Sequence, residues 1–187
     1  MYLIFTLAFL TIELIGNNIC LGLPDCGVRS QNLLPQEQLT AKRRDVAIGQ
    51  YPWVVAIYIA EDDKCDKYKQ ICGGTIISEN WVVTAGHCVC SFNPGVYRIH
   101  AGFNDSSELT VPSAKIYEVS NIFMHPDFTY YNLVNDIALL RTSKPIDIST
   151  GEININRICL PSADEAIGSK IAAAGWVEDL KADKKKH

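Results

Sequence analysis

From residue 49 to residue 142 the chain alternates short apolar, β-branched runs with clusters of Gly, Pro, Asn and Asp. Six runs stand out: Trp53–Ile59, Gly74–Ser78, Trp81–Thr84, Tyr97–Ala101, Ile116–Phe123 and Asp136–Thr142. Runs of this length, rich in Val and Ile and bounded by turn residues, predict strands. No stretch sustains the 3.6-residue period that would predict a long helix. Six short strands with turns between them predict an all-β fold closed into an antiparallel barrel. No internal repeat is present.

The pattern changes on both sides of this region. Residues 23–48 are polar, carry Pro24, Pro35 and the triplet Lys42-Arg43-Arg44, and read as an extended pro-segment or linker. Residues 144–162, with Pro145, Gly151 and Pro161, read as a connection, and a further strand-like piece spans Lys170–Trp176. The charged stretch from Glu178 to His187 has almost nothing to bury and is expected to be a disordered tail. At the other end, Leu3–Ile12 is apolar but too short for the roughly 20 residues a bilayer span needs. Its place at the N-terminus predicts a secretory signal peptide, cleaved after Gly22 or after Gly16. The expected organisation is a leader (1–22), a pro-segment (23–48), a folded domain (49–176) and a charged tail (177–187).

Composition narrows the function classes. A chain of 187 residues with 48% hydrophobic and 20% charged residues suits one globular domain. The formal net charge of -4 and the lack of a basic stripe argue against nucleic acid as a partner, and the apolar run argues against a membrane span. Lys42-Arg43-Arg44 and Lys184-Lys185-Lys186 read as solvated linker and tail. There are seven cysteines. If Cys20 leaves with the leader, Cys26, Cys65, Cys72, Cys88, Cys90 and Cys159 remain, an even set suited to bridges in a secreted, extracellular protein. Six cysteines allow 15 pairings, which spacing leaves open. No pair has CxxC spacing, so no zinc or thiol-redox motif is expected.

The chemistry concentrates in Thr84-Ala85-Gly86-His87-Cys88 and in Asn135-Asp136-Ile137-Ala138-Leu139-Leu140. A hydroxyl or thiol nucleophile needs a base, and that base needs a partner on its other ring nitrogen. His87 follows a strand and a small residue, which suits a ring facing a cleft. Asp136 suits the partner, because a carboxylate fixes the imidazole tautomer and stabilises its charged form.

In this context the chain resembles the chymotrypsin/trypsin family of serine proteases. Gly49-Gln50-Tyr51-Pro52-Trp53 is similar to the family's segment that opens its first barrel. Cys72-Gly73-Gly74-Thr75-Ile76-Ile77 is similar to the strand approaching the active site, and His125-Pro126-Asp127-Phe128 to the loop before the aspartate. Ile158-Cys159-Leu160-Pro161-Ser162 resembles the connection between two barrels, and Ala174-Gly175-Trp176 the start of the second. The resemblance implies a complete first barrel and a second that is only begun. It assigns His87 as general base and Asp136 as the residue orienting it. It also implies the bridges Cys72–Cys88 and Cys26–Cys159, leaving Cys65 and Cys90 for a third that looks like arthropod members of the family.

Three departures bear on activity. The family places its nucleophile in a Gly-Asp-Ser-Gly-Gly loop after the aspartate. The serines after Asp136 are Ser143, Ser149, Ser162 and Ser169, and none sits in a Gly-rich turn. The backbone donors that stabilise an oxyanion come from the same loop, and losing such donors costs roughly 10²–10³ in rate. Residues 49–187 number 139, whereas this class of barrel protein runs to roughly 200–250. Finally, the place of the family's Ile-Val-Gly-Gly activation sequence is held by Thr40-Ala41-Lys42-Arg43. The expectation is a secreted member of a serine endopeptidase family that is inactive as this 187-residue chain, a truncated product or an incomplete gene model. A protein or peptide substrate is implied only for a full-length form. The alternative is a non-catalytic homologue acting as cofactor or decoy in an extracellular cascade. Asn104-Asp105-Ser106 is an N-glycosylation sequon. Gly102 is followed by Phe103 where calcium-binding members carry Glu, so no calcium or other metal and no cofactor is expected. His100 and His125 read as ordinary strand or turn residues.

Overall fold

The structure, a computed structural model, describes residues 26–29, 46–104, 114–148, 154–161 and 173–176. The expected leader, most of the pro-segment and the charged tail lie outside the described residues. Six strands form: β1 (Val54–Ala60), β2 (Tyr68–Ser78), β3 (Trp81–Thr84), β4 (Tyr97–Ala101), β5 (Lys115–Met124) and β6 (Ala138–Thr142). All pairings are antiparallel, and the order β1-β2-β3-β6-β5-β4 closes on itself through β1 and β4. Closure gives every strand two neighbours and leaves no open edge.

The interior is filled by Val55 and Ile57 of β1, Ile76 of β2, Val82 of β3, Tyr97 and Ile99 of β4, Val119 of β5 and Leu140 of β6, all buried. Val55 and Ile57 are two apart, as are Tyr97 and Ile99, because side chains alternate across a strand. Each aliphatic side chain fully buried this way contributes about 1.5–3 kcal/mol. β1 is covered on its other face too. Ala56 and Tyr58 pack with Phe103 in a second cluster, flanked by Tyr68, Ala114 and Trp176.

β2 starts at Tyr68, six residues before the expected Gly74. Lys69, Gln70, Gly73 and Gly74 are poor strand formers by composition. They are strand residues here because β1 pairs with them from Ala60↔Tyr68 to Val54↔Thr75. Gly74 is packed so closely that an added Cβ would lie 2.9 Å from Val82 Cγ1.

The segment 26–29 is fastened beside the barrel. Cys26 is bridged to Cys159, the Gly27 N–H donates to the Arg157 carbonyl at 2.9 Å, and the Arg29 guanidinium lies over Tyr51 at 4.8 Å and Trp53 at 5.4 Å. The second bridge joins Cys72 to Cys88. Cys65 and Cys90 do not form the expected third bridge and stand as free thiols. Cys65 sits in the β1–β2 turn beside Tyr68, whereas Cys90 Sγ is turned back onto the His87 carbonyl at 3.0 Å. Of the strand-like piece expected at 170–176, the described residues 173–176 run as irregular backbone, with Trp176 stacked on Phe103 at 4.8 Å.

Candidate active site

Two strand ends set the site. β3 and β6 are paired with Thr84 opposite Ala138, at the end of β3 and the start of β6. His87 lies three residues beyond Thr84, and Asp136 lies two residues before Ala138. The antiparallel register therefore brings together two residues 49 apart in sequence. After β3 the chain enters a short 3-10 turn, Gly86–Val89, which carries His87 outward and Cys88 inward. The Cys72–Cys88 bridge pins this turn to β2.

Asp136 is not a strand residue, unlike the expected run from Asp136. It ends the loop before β6. Asn135 has φ 54°, a left-handed conformation that Asn tolerates better than most residues. Its side-chain amide donates to the Asp127 carbonyl at 3.1 Å, and the Asp127 N–H donates to His125 Nδ1 at 3.1 Å. His125, Asp127 and Asn135 thus brace the loop that presents the carboxylate.

The carboxylate meets His87 twice. The His87 backbone N–H donates to Asp136 Oδ1 at 2.8 Å, and Nδ1 lies 2.7 Å from Oδ2. These hydrogen bonds, led by the one from the ring, hold the Asp136 carboxyl below the usual carboxylate range. An ionised carboxylate only accepts, so Nδ1 carries a proton toward it, and in the neutral ring Nε2 is then the nitrogen with the lone pair. The His87 side chain is 45% exposed and that of Asp136 20%. The ring is therefore held at Nδ1 while its side chain stays open to solvent.

Gly86 completes the fit. A Cβ there would lie 3.2 Å from the Phe128 ring and 3.3 Å from Asp136 Oδ1. Beside Nε2 stands Cys88 Sγ at 3.4 Å. Among the described residues no serine hydroxyl hydrogen-bonds to His87. The loop flanking the dyad carries exposed apolar side chains at Tyr130, Tyr131, Leu133, Val134 and Ile137. An open groove of about 390 Å³ runs past Gly73–Thr75, Val83–Ala85, Asp136, Ile137 and Ala174.

Other sequence-predicted positions lie elsewhere. Asn104 is exposed; its side chain donates to the Val46 carbonyl at 2.9 Å, and its own carbonyl accepts from Trp176 Nε1 at 3.1 Å. His100 is buried on β4, stacked on Tyr58 at 4.0 Å. Sequence reasoning missed the braces from His125, Asp127 and Asn135 and the contact of Cys88 with Nε2. The HPDF and NDIALL segments hinted at the first, but nothing in the sequence pointed to the second.

The family model for Trypsin matches residues 41–186. The chain belongs to the trypsin-like serine protease family. Relatives include U21-ctenitoxin-Pn1a of Phoneutria nigriventer, 34% identical over 132 residues, covering 68% of this chain and 51% of the relative. Kallikrein 1-related peptidase b22 of Mus musculus is 38% identical over 134 residues, 67% of this chain and 46% of its own. Ovochymase-2 of Mus musculus is 33% identical over 162 residues, 82% of this chain and 25% of its own. The chain thus spans about half the length, or less, of these relatives.

Among the described residues no helix is long and apolar enough to cross a membrane.

Proposed function

We propose that this chain carries the proton-transfer half of a secreted peptide-bond hydrolase. His87 takes the proton from a nucleophile and later gives it to the leaving amine, and Asp136 holds the ring and stabilises its imidazolium form. The single observation that carries this reading is the double hydrogen bond from His87 to Asp136, at 2.8 Å from the backbone and 2.7 Å from the ring. A structural histidine needs neither a fixed tautomer nor an outward lone pair. The exposed apolar loop and the groove beside the dyad suit an extended peptide as substrate. The two disulfides, an apolar leader-like start and kinship with peptidases support an extracellular setting.

The attack itself needs a nucleophile, and none of the serines that follow Asp136 in the sequence lies in a Gly-rich turn, so the chain by itself is proposed to be inactive. A serine-reactive fluorophosphonate probe tests this. The purified 187-residue chain should take up no label, and labelling of it would overturn the reading. A longer transcript product whose frame runs on to a Gly-Asp-Ser-Gly-Gly loop should be labelled.

A second reading is a non-catalytic homologue that acts by binding in an extracellular cascade. What favours it is the sequence Ala41-Lys42-Arg43-Arg44-Asp45, where the family's activation site would expose an Ile amine. A longer form that resists the probe yet captures a defined partner would favour this second reading over the first.

A further inference from the structure

Three metal-binding atoms converge beside the dyad. Cys72 Sγ, Cys88 Sγ and a ring nitrogen of His87 all lie within 4.8 Å of one another. Cys88 Sγ is already 3.4 Å from Nε2. β2 supplies Cys72 and the 3-10 turn supplies His87 and Cys88, so both walls of the corner belong to the barrel. The two sulfurs are joined as a disulfide, and a metal ligand must be a thiolate. We propose that reduction of Cys72–Cys88 turns this corner into a site for a thiophilic divalent cation, zinc above all, held by Cys72, Cys88 and His87 Nε2.

The chemistry balances. A dithiol donates two electrons: one thiolate attacks a disulfide sulfur, its second thiol displaces the mixed disulfide, and Cys72 and Cys88 are left as thiols while the reductant becomes a cyclic disulfide. Zinc then binds two thiolates and a neutral imidazole, and two protons pass to solvent. A tetrahedral zinc about 2.0–2.3 Å from each ligand spaces them by roughly 3.3–3.8 Å. Cys88 Sγ and Nε2 stand at that spacing now, and two unbonded sulfurs in contact settle near it. The fourth position stays open to water, since His87 is exposed.

The second independent observation is Asp136. A histidine that ligates zinc through one nitrogen commonly donates its other N–H to a carboxylate, which fixes the tautomer and makes the ligand more basic. Asp136 Oδ2 already accepts from Nδ1 at 2.7 Å, leaving Nε2 as the ring's free nitrogen, 3.4 Å from Cys88 Sγ. Two sulfurs and one imidazole are a donor set suited to zinc. Once bound, the ion occupies the lone pair that would accept a proton, so reduction and zinc together would hold the base out of use. The metal site stands or falls apart from the peptidase reading, because it is read by metal binding.

The test uses the whole 187-residue chain, Co²⁺ as a coloured stand-in for Zn²⁺, and a phosphine reductant that does not compete strongly for metal and delivers the same two electrons by taking oxygen from water to become a phosphine oxide. The expected result is one equivalent of tetrahedral, thiolate-ligated Co²⁺ after reduction and none before, with Zn²⁺ displacing it. His87→Ala should abolish that spectrum, and Asp136→Asn should weaken Zn²⁺ binding by about 10–100-fold. Cys65→Ser with Cys90→Ser, and separately Cys26→Ser with Cys159→Ser, should leave it intact. Equal binding to the oxidised chain, an unchanged spectrum in His87→Ala, tight binding indifferent to Asp136→Asn, loss of binding in either serine pair, or no binding after reduction would each overturn the proposal.

Discussion

His100 makes the barrel's stability depend on pH in a way that can be worked through. The ring is 6% exposed, stacked on Tyr58 at 4.0 Å and set edge-on to Phe103 at 6.4 Å. Its Nδ1 finds no hydrogen-bond partner among the described residues. Burial, helped by the positive charge of Arg98, pushes its pKa down from 6.5 to about 4. Between these values the unfolded chain binds a proton that the folded chain refuses. Stability is therefore complete above about 6.5, falls as the pH drops, and has lost the whole His100 contribution near pH 4. At about 1.4 kcal/mol per pH unit, moving from pH 7 to pH 4 removes about 3 kcal/mol through this residue alone. Carboxylates add their own acid sensitivity, so the comparison is with His100→Phe, which keeps an aromatic stack and removes the titration. Urea unfolding of both proteins at pH 7 and pH 4 should give stability differences that shift by about 3 kcal/mol in favour of the variant at pH 4. An equal difference at both pH values would refute the reasoning, because it would mean His100 is as free to protonate in the barrel as outside it.

Gly74→Ala should destabilise the barrel by about 1–3 kcal/mol, read from the denaturation midpoint, because the new methyl meets buried Val82 at 2.9 Å. His87→Ala should raise the Asp136 pKa part of the way toward the ordinary carboxylate value, since it removes the ring hydrogen bond, the largest cause of the lowering, and keeps the backbone N–H groups of residues 86 and 87; carbon NMR of the side-chain carboxyl follows this directly. Expression in a eukaryotic secretory system should give a glycosidase-sensitive mobility shift that Asn104→Gln removes. Alkylation under native conditions should modify exposed Cys90 faster than partly buried Cys65, and should spare the four bridged cysteines.

The strands were legible where short apolar runs are bounded by turn residues, as in Trp81–Thr84 and Tyr97–Ala101, both of which match the observed bounds. The start of β2 was not, because Lys69, Gln70 and two glycines become strand only through pairing with β1, an influence from elsewhere in the chain. His87 and Asp136 were legible as a pair from their surrounding motifs, but the sequence placed Asp136 on a strand. The structure takes it off that strand through the left-handed backbone of Asn135, a local conformation that composition does not encode. The free thiols of Cys65 and Cys90 were illegible for a similar reason. An even number of cysteines says that pairing is possible, while side-chain direction decides it. Trp176 was expected in a strand, yet its ring is held by Phe103 and the Asn104 carbonyl, contacts that have no sequence period.

Because Thr84 and Ala138 face each other across one ladder, His87 and Asp136 hang from adjacent staves of the same closed ring. Neither stave can loosen without breaking the other's amide bonds, and the ring offers no hem from which fraying could begin. Deuterium uptake at the two stave ends should accordingly rise and fall in step, so that the pairing of His87 with Asp136 is lost by whole-barrel opening rather than by the wandering of a single loop.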